Sequence, residues 1–496
     1  MPKNKFYITT AIDYANAAPH LGHALEKVQA DVLARYHRIA GDNVFFSTGT
    51  DEHGVKNARA AQVAGLSPAA FVDANAAVFQ KLTAALNISN DIFLRTTDKR
   101  AHWPAVVKVW KKLSANGDIY KKEYEGLYCV GHEAFVTQKD LVEGKCALHQ
   151  KEPELIREEN YFFRLSRYAQ AIESAITNDT FRVLPAHSKN EALQFLGEGL
   201  EDVSFSRPSK DLSWGIPVPG DASQTIYVWA DALTNYLSAI GYGDKEDSEG
   251  SQFKTFWPAD VHIIGKDILR FHALIWPGIL LSVGLPLPKV LFAHGFISVG
   301  GEKMSKTIGN VIDPFVYIEQ YGADALRYYL LREIPSSQDG DFTAEKFRER
   351  YEGDLANGLG NLLARVVTLG EKHIQKSFPG ARSDALDEFL DVHWAGYHEA
   401  LEAYRFDEAL RIVWDILAYG DKMVDSSKLW ELPETHPERF EEIIAQLAGL
   451  LATVAHMLRP FLPKSASRMF VQLGIDPESS DEWVFTMKKD AVIFPR

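Results

Sequence analysis

The sequence predicts an α/β fold: a parallel sheet interrupted by an inserted domain of short strands and followed by an all-α bundle. Three patterns predict it. Apolar strand-like runs alternate with a helical stretch near the N-terminus and return after residue 224. Between them, residues 115–224 break into short β runs, turns and charged clusters. From about residue 343 onward, apolar residues recur at helical spacing.

The elements follow in order. KFYITT (5–10) reads as a buried strand, followed by the loop AIDYANAAP. A helix is expected from about Pro19 to Ile39, with proline in its first turn and Gly41 as its stop. Leu21, Leu25, Val28, Val32 and Tyr36 give it one apolar face. NVFFSTG (43–49) is the next strand, and Thr50, Asp51, Glu52, His53 and Gly54 lie at its C-terminal end. Strand, helix, strand implies a right-handed parallel unit, with ligands outside the carboxyl ends of the strands. The pattern resumes with TIYVWADAL (225–233), VHIIGKD (261–267) and VLFAHGFISVG (290–300). Ala273–Pro288 is the nearest approach to a membrane span, but Pro277 and Gly284 break it into a buried helix and a loop. In the C-terminal part Leu355, Leu359, Leu362, Leu363 and Val366 share one stripe. The segment Gly241–Ser251 is the most linker-like surface loop.

At 496 residues the chain exceeds one core and should hold two to four domains. A hydrophobic content of 46% with 24% charged residues is that of a soluble globular protein. MPKNKFYITT runs straight into a strand pattern, so no signal or transit peptide is expected. Two cysteines, Cys129 and Cys146, argue against a disulfide scaffold and for a reducing cytoplasm. The net charge of −14 neither names nor excludes a nucleic-acid partner, because local basic stretches suffice for selective binding.

Two short strings carry the chemistry, PHLGHA (19–24) and EKMSKT (302–307). His20 and His23 flank Gly22 where a helix is expected to begin, so backbone N–H groups and the positive helix end can face phosphate. Gly22 leaves room for close approach. Lys303 and Lys306 lie in the Gly-rich run SVGGEKMSKTIGN and can close on pyrophosphate. Together the strings predict an ATP-using ligase. No G-x-G-x-x-G or G-x-x-x-x-G-K-[ST] is present, which argues against dinucleotide-type and P-loop binding.

A second constellation is aromatic. Ile268, His272 and Trp276 are spaced four apart and share a helix face. With Ile12, Tyr14, Trp229 and Tyr236 they offer an apolar slot with a few polar handles, suited to an unbranched thioether. Ordinary core packing is the alternative. Asp51, just past a strand end, can hold an α-ammonium group; a solvated turn aspartate is the alternative. In the insertion, Cys129-x2-His132 and Cys146-x2-His149 form two knuckles separated by 13 residues. All four are of zinc-ligand type, so the readings are one structural Zn2+ ion or a degenerate knuckle that no longer binds metal.

PHLGHA and EKMSKT resemble the HIGH and KMSKS signatures of class I aminoacyl-tRNA synthetases. AIDYAN, PHLGHALEKVQAD, TGTDEHG, ENYFFRLSRY, LSWGIPVP, YVWADAL, HIIGKDILRFHALIWP and GEKMSKT look like the methionyl-tRNA synthetase family over essentially the whole chain. The resemblance implies a class I synthetase Rossmann-type catalytic domain in two halves, 1–114 and 225–308, the second carrying the KMSKS loop. It implies a connective-peptide insertion with the knuckle at 115–224, a stem-contact linker at 309–342 and a helical anticodon-binding domain at 343–496.

The resemblance also implies the residue roles. Ile12, Tyr14, Trp229, Tyr236, Ile268, His272 and Trp276 would hold methionine, with Asp51 on its amino group. His20, Gly22 and His23 would contact ATP phosphates, Gly265 and Asp267 the ribose region, His294 and Ile297 the adenine side. Lys303 and Lys306 would stabilise pyrophosphate. Asn361 and Arg365 match an N-x3-R pair used on the anticodon, and Trp483 matches a stacking tryptophan. Asp13, Leu233, Thr307 and His132 depart from the family pattern, which blurs pocket and knuckle details and leaves the reaction intact. The expected reaction partners are L-methionine, ATP with Mg2+ and tRNA(Met), with no membrane, and the chain is expected to act as a cytoplasmic monomer.

Three rivals are weaker. An editing class I synthetase needs a larger insertion than 115–224 allows. A non-catalytic tRNA-binding paralogue has no use for His20, His23, Asp51, Lys303 and Lys306 together. A small-molecule adenylyltransferase leaves the helical C-terminal part without a role.

Overall fold

The computed structural model describes residues 4–136, 141–147, 150–244, 251–304, 309–374, 376–381, 383–478 and 483–495. The chain forms two compact units. One comprises Met1–Pro19, His37–Ala84 and Ile88–His294; the other comprises His20–Tyr36, Ala85–Asn87 and Gly295–Arg496.

The first unit is built on a parallel sheet. Its strands, in chain order, are β1 (Lys5–Thr10), β2 (Asp13–Tyr14), β3 (Asn43–Asp51), β4 (Ile92–Arg95), β5 (Arg182–Leu184), β6 (Val261–Gly265) and β7 (Val290–His294). Among the described residues the lateral order is β5-β7-β6-β1-β3-β2, with β4 also paired to β3. Every pairing is parallel, with Ile8 opposite both Phe46 and Val261. Such strands are covered on both faces, which explains why β6 and β7 are buried throughout rather than alternating.

Two differences from the sequence reading stand out. Arg182–Leu184, inside the expected insertion, returns to the edge of the parallel sheet beside β7. Three residues are too few to show a period in sequence. Conversely, the strand ahead of VWADAL, Asp221–Ile226, joins a small antiparallel sheet with Ser206–Pro208 and Pro217–Val218. The insertion proper is a four-stranded sheet whose long hairpin-like pair, Ile119–Cys129 with Glu154–Phe163, carries the knuckle at its tip. Of the linker-like loop, residues 245–250 lie outside the described residues.

In the second unit, helix α1 (Leu21–Ile39) starts later than its proline suggested. Pro19 stays outside because the His20 side chain takes the capping position: its Nδ1 accepts from the Gly22 N–H at 3.1 Å. On the same helix Asp31 is fully buried and paired with Arg327 at 2.7 Å, itself fully buried. The Arg327 guanidinium also donates to the carbonyls of Phe461, Pro460 and Leu86, so no polar edge of the pair is wasted. A three-stranded sheet places Ile297–Val299 between Glu302–Lys303 and Gly340–Phe342. Helices follow. Asp313, Thr343 and Ser383 cap three of them through side-chain acceptors, each at the residue where the sequence turns from loop to apolar periodicity. The expected leucine stripe is core: Leu355, Leu359, Leu362, Leu363 and Val366 are all buried. Among the described residues one helix, Pro437–Leu458, is long and apolar enough to cross a membrane, and 78% of its apolar window is packed inside the protein.

Candidate active site

The C-terminal end of β3 delivers the turn that carries Asp51. Asn57 pins this turn by donating its side-chain amide to the carbonyls of Asp51 and His53, at 3.1 and 2.9 Å. Glu52 turns away to receive both arms of Arg95, at 2.6 and 2.9 Å. Asp51 is left buried, and its Oδ1 has no hydrogen-bond partner among the described residues. Burial, reinforced by the charges of Asp231, Glu133 and Glu52, pushes its carboxyl well above the usual range. A buried acceptor left open in this way calls for a cation.

The aromatic constellation assembles in the same unit. Trp229, on the helix Val228–Leu233, stacks on Phe271 with ring centres 3.8 Å apart, and Tyr14 meets it edge-on at 6.3 Å. His272 lies on a π-helical turn, Phe271–Ile275, that continues directly into a helix beginning at Trp276. Its Nδ1 faces the Ile268 carbonyl at 3.0 Å, so Nδ1 carries the proton and Nε2 accepts from the Tyr236 hydroxyl at 2.7 Å. Burial holds this imidazole neutral, its pKa lowered to about 4. A parallel chain runs behind it: the Trp276 indole donates to Nε2 of His262 at 3.3 Å, and Nδ1 of His262 donates to Thr9 Oγ1 at 2.7 Å. The His262 ring also stacks on Tyr236 at 4.1 Å. The pocket is therefore aromatic, its two imidazoles neutral, with Asp51 as the carboxylate predicted to face a ligand. Ile12 is half-buried in the loop between β1 and β2.

Sequence reasoning gave no role to His262, His53 or Asp231. His53 and Asp231 form a buried pair at 2.6 Å, and His102 holds the other carboxylate oxygen at 2.7 Å. The available signal was position: His53 follows Asp51 by two residues in the TDEHG turn, and Asp231 follows Trp229 by two.

At the ends of β6 and β7 stand Gly265 and His294. A Cβ at Gly265 would come within 2.7 Å of the Asp267 carboxylate, which would have to move aside. In the second unit His20 and His23 stack with ring centres 3.8 Å apart, and Nδ1 of His23 accepts from the His20 N–H at 3.0 Å. Ile297 is buried on the strand that pairs with the hairpin strand containing Lys303. Gly300 and Gly301 turn that hairpin at φ of 62° and 81°, and Asp341 fastens it by accepting from Gly301 N–H and Ser298 Oγ. Lys306 lies outside the described residues.

The family model described as tRNA synthetases class I (M) matches residues 6–147 and 134–367. The methionine–tRNA ligase of Brucella suis is 42% identical over 485 residues, covering 96% of this chain and 93% of the relative. Methionine–tRNA ligase 1 of Bacillus cereus is 43% identical, covering 96% of this chain and 74% of the relative. The structure of Mycobacterium tuberculosis methionyl-tRNA synthetase in complex with methionyl-adenylate superposes with a TM-score of 0.93 at 38% identity, covering 99% of this chain and 100% of that one. This chain belongs to the methionine–tRNA ligase family of class I tRNA synthetases.

Within this methionine–tRNA ligase fold the knuckle brings Cys129, His132 and Cys146 together, with their ligand atoms all within 4.8 Å of one another. The Cys146 Sγ to His132 Nδ1 separation is 3.6 Å, close to a tetrahedral edge around a metal with bonds of about 2.0–2.3 Å. Both cysteines are buried in a small apolar cluster with Val136, flanked by Leu127 and Leu141. Three ligands thus fit a metal ion. His149, the expected fourth, lies outside the described residues.

On the helical part of the ligase, Asn361 opens the helix Asn361–His373 and Arg365 follows one turn later. Arg365 is half-exposed and paired with Asp425 at 2.8 Å, with Asp421 at 3.9 Å. Trp483, expected on the anticodon, is 8% exposed and stacks on His456 at an angle of 12°.

Proposed function

We propose that this ligase works through the residues named above as follows. The Asp51 carboxylate holds the α-ammonium of L-methionine, and the slot of Ile12, Tyr14, Trp229, Tyr236, Ile268, His272 and Trp276 takes the thioether side chain. The methionine carboxylate oxygen attacks the α-phosphorus of ATP. The bond to the β-phosphate oxygen breaks, giving methionyl-adenylate and pyrophosphate. A terminal ribose hydroxyl of tRNA(Met) then attacks the acyl carbon, and AMP leaves. His20, Gly22, His23, Lys303 and Lys306 are assigned to the phosphates, Gly265, Asp267, His294 and Ile297 to the nucleoside. Mg2+ would accompany ATP and offset phosphate charge. Positioning and charge stabilisation supply the catalysis, with no covalent enzyme intermediate.

The observation that carries this reading is the open, buried Asp51 oxygen, in the unit that also holds the aromatic constellation and the neutral His272 imidazole. An ammonium restores the missing partner, and an unbranched apolar side chain suits the aromatic walls. The knuckle is assigned a structural Zn2+ held by Cys129, His132, Cys146 and His149, which would supply only local stability. Asn361 and Arg365 are assigned to the anticodon. A translation enzyme of this kind is placed in the cytoplasm, where charged tRNA is consumed. The test is exchange of labelled pyrophosphate into ATP with each of the twenty amino acids. Methionine alone should support it. Exchange with a different amino acid, or with none, would refute the assignment.

A further inference from the structure

Residues 132 and 133 of the knuckle reach further than the metal cluster. Glu133 is completely buried and adopts a left-handed backbone, φ 52°, unusual for a residue with a side chain. Its Oε1 accepts from the backbone N–H of Lys56 at 2.7 Å, and the carboxylate also faces the Val55 amide and Tyr14. Those amides begin helix α2 (Val55–Val63), whose own cap residue is Gly54 and offers no side-chain acceptor. Gly54 sits at φ 97°, and a Cβ there would fall 2.5 Å from the Glu133 carboxylate. The glycine thus supplies the turn and also the space through which Glu133 enters. Helix α2 begins four residues after Asp51. One residue earlier, the His132 carbonyl accepts the Trp229 indole N–H at 3.2 Å.

Two consecutive residues of the insertion therefore touch both sides of the amino-acid pocket. We propose that Glu133 is a positioning residue for amino-acid activation: it caps helix α2 from the knuckle and so fixes the turn that carries Asp51, while the adjoining carbonyl fixes Trp229. This rests on the reading of Asp51 and Trp229 as methionine contacts. A carboxylate at a helix start satisfies N–H groups that would otherwise be orphaned and favours the dipole. Here that acceptor comes from another domain segment, so the shape of the ammonium site depends on where the insertion docks.

The experiment compares Glu133→Ala, Glu133→Gln and Glu133→Asp in pyrophosphate exchange, with methionine and ATP varied separately. The Gln amide oxygen can still accept from Lys56, so this variant should stay within about threefold of wild type. Glu133→Ala should raise KM for methionine about tenfold or more while KM for ATP moves less than about twofold. Glu133→Asp, one methylene short of the helix, is read on the same criteria and serves if Glu133→Ala does not fold. Methionine affinity measured directly by calorimetry should follow KM. The proposal is overturned if the folded Ala and Asp variants bind methionine as wild type does, if both Michaelis constants rise together, or if the Gln variant is as impaired as they are. Absence of methionine-dependent exchange in the wild-type protein would instead overturn the functional reading itself.

Discussion

Asp231 accepts a 2.6 Å hydrogen bond from Nδ1 of His53, and both side chains are buried. Burial alone would raise the Asp231 carboxyl, but His53 and His102 outweigh it and hold the pKa down to about 2. The pair ties the Asp51 turn to the helix that carries Trp229. A depressed carboxylate stabilises the fold above its unfolded value near 3.8, and that contribution fades as pH falls towards 2. Asp231→Asn at neutral pH removes the charge between two histidines and should cost about 3–5 kcal/mol. A urea unfolding curve followed by near-UV circular dichroism reads it, and an unchanged midpoint would refute the role.

Asp51 leads to a prediction in pH. Its carboxyl lies above the ordinary 3.8 because of burial and the neighbouring Asp231, Glu133 and Glu52, with Lys56 opposing. Only the charged form can hold an ammonium. The kcat/KM for methionine should therefore fall as the medium is acidified, at a pH above the usual carboxylate range, while kcat at saturation changes less. Asp51→Asn should be weak and flat across the same range. A wild-type profile as flat as the variant's would exclude Asp51 as the ammonium partner.

Lys306→Ala should slow adenylate formation by about 100-fold, with methionine affinity nearly intact, because its charge matters most as pyrophosphate separates. Single-turnover formation of methionyl-adenylate measures the first, calorimetric titration the second. Loss of affinity at an unchanged rate would reverse the assignment.

The knuckle prediction is compositional. Protein purified without a histidine tag from zinc-replete cells should contain about one zinc per chain, and Cys146→Ser should lose it. Elemental analysis decides, and a value near zero in the wild type means that the knuckle is degenerate.

Arg365→Ala should spare pyrophosphate exchange and weaken aminoacylation, each lost base contact costing about 1–3 kcal/mol by analogy with base-edge readout in DNA. The surface pair with Asp425 adds little stability on its own, so the variant should fold normally. If exchange falls in step with aminoacylation, Arg365 is a structural residue.

What the sequence disclosed and what it hid follow one rule of distance. The PHLGHA and EKMSKT strings, the i, i+4 series at Ile268, His272 and Trp276, and the leucine stripe are local patterns, and the parallel sheet followed from the alternation of such patterns. His262 escaped because its meaning comes from Thr9, 253 positions away. Asp231 and Glu133 escaped likewise, their partners lying 178 and 77 positions off. The ring contact between Trp483 and His456 was hidden in the same way, since no local pattern relates the two.

The ion pair of Asp31 with Arg327 has a consequence in time. Both charges are wholly buried, yet the arginine is made about 300 residues after the aspartate. At ribosomal speeds of about 5–20 residues per second, about 15–60 s separate them. Through that interval the part of this ion network already made is Arg35, one turn along the same helix, whose Nε pairs with Asp31 at 2.7 Å. The second, fully buried half of the network, Arg327 with its three carbonyl acceptors, can close on that helix only once the later segment has been made.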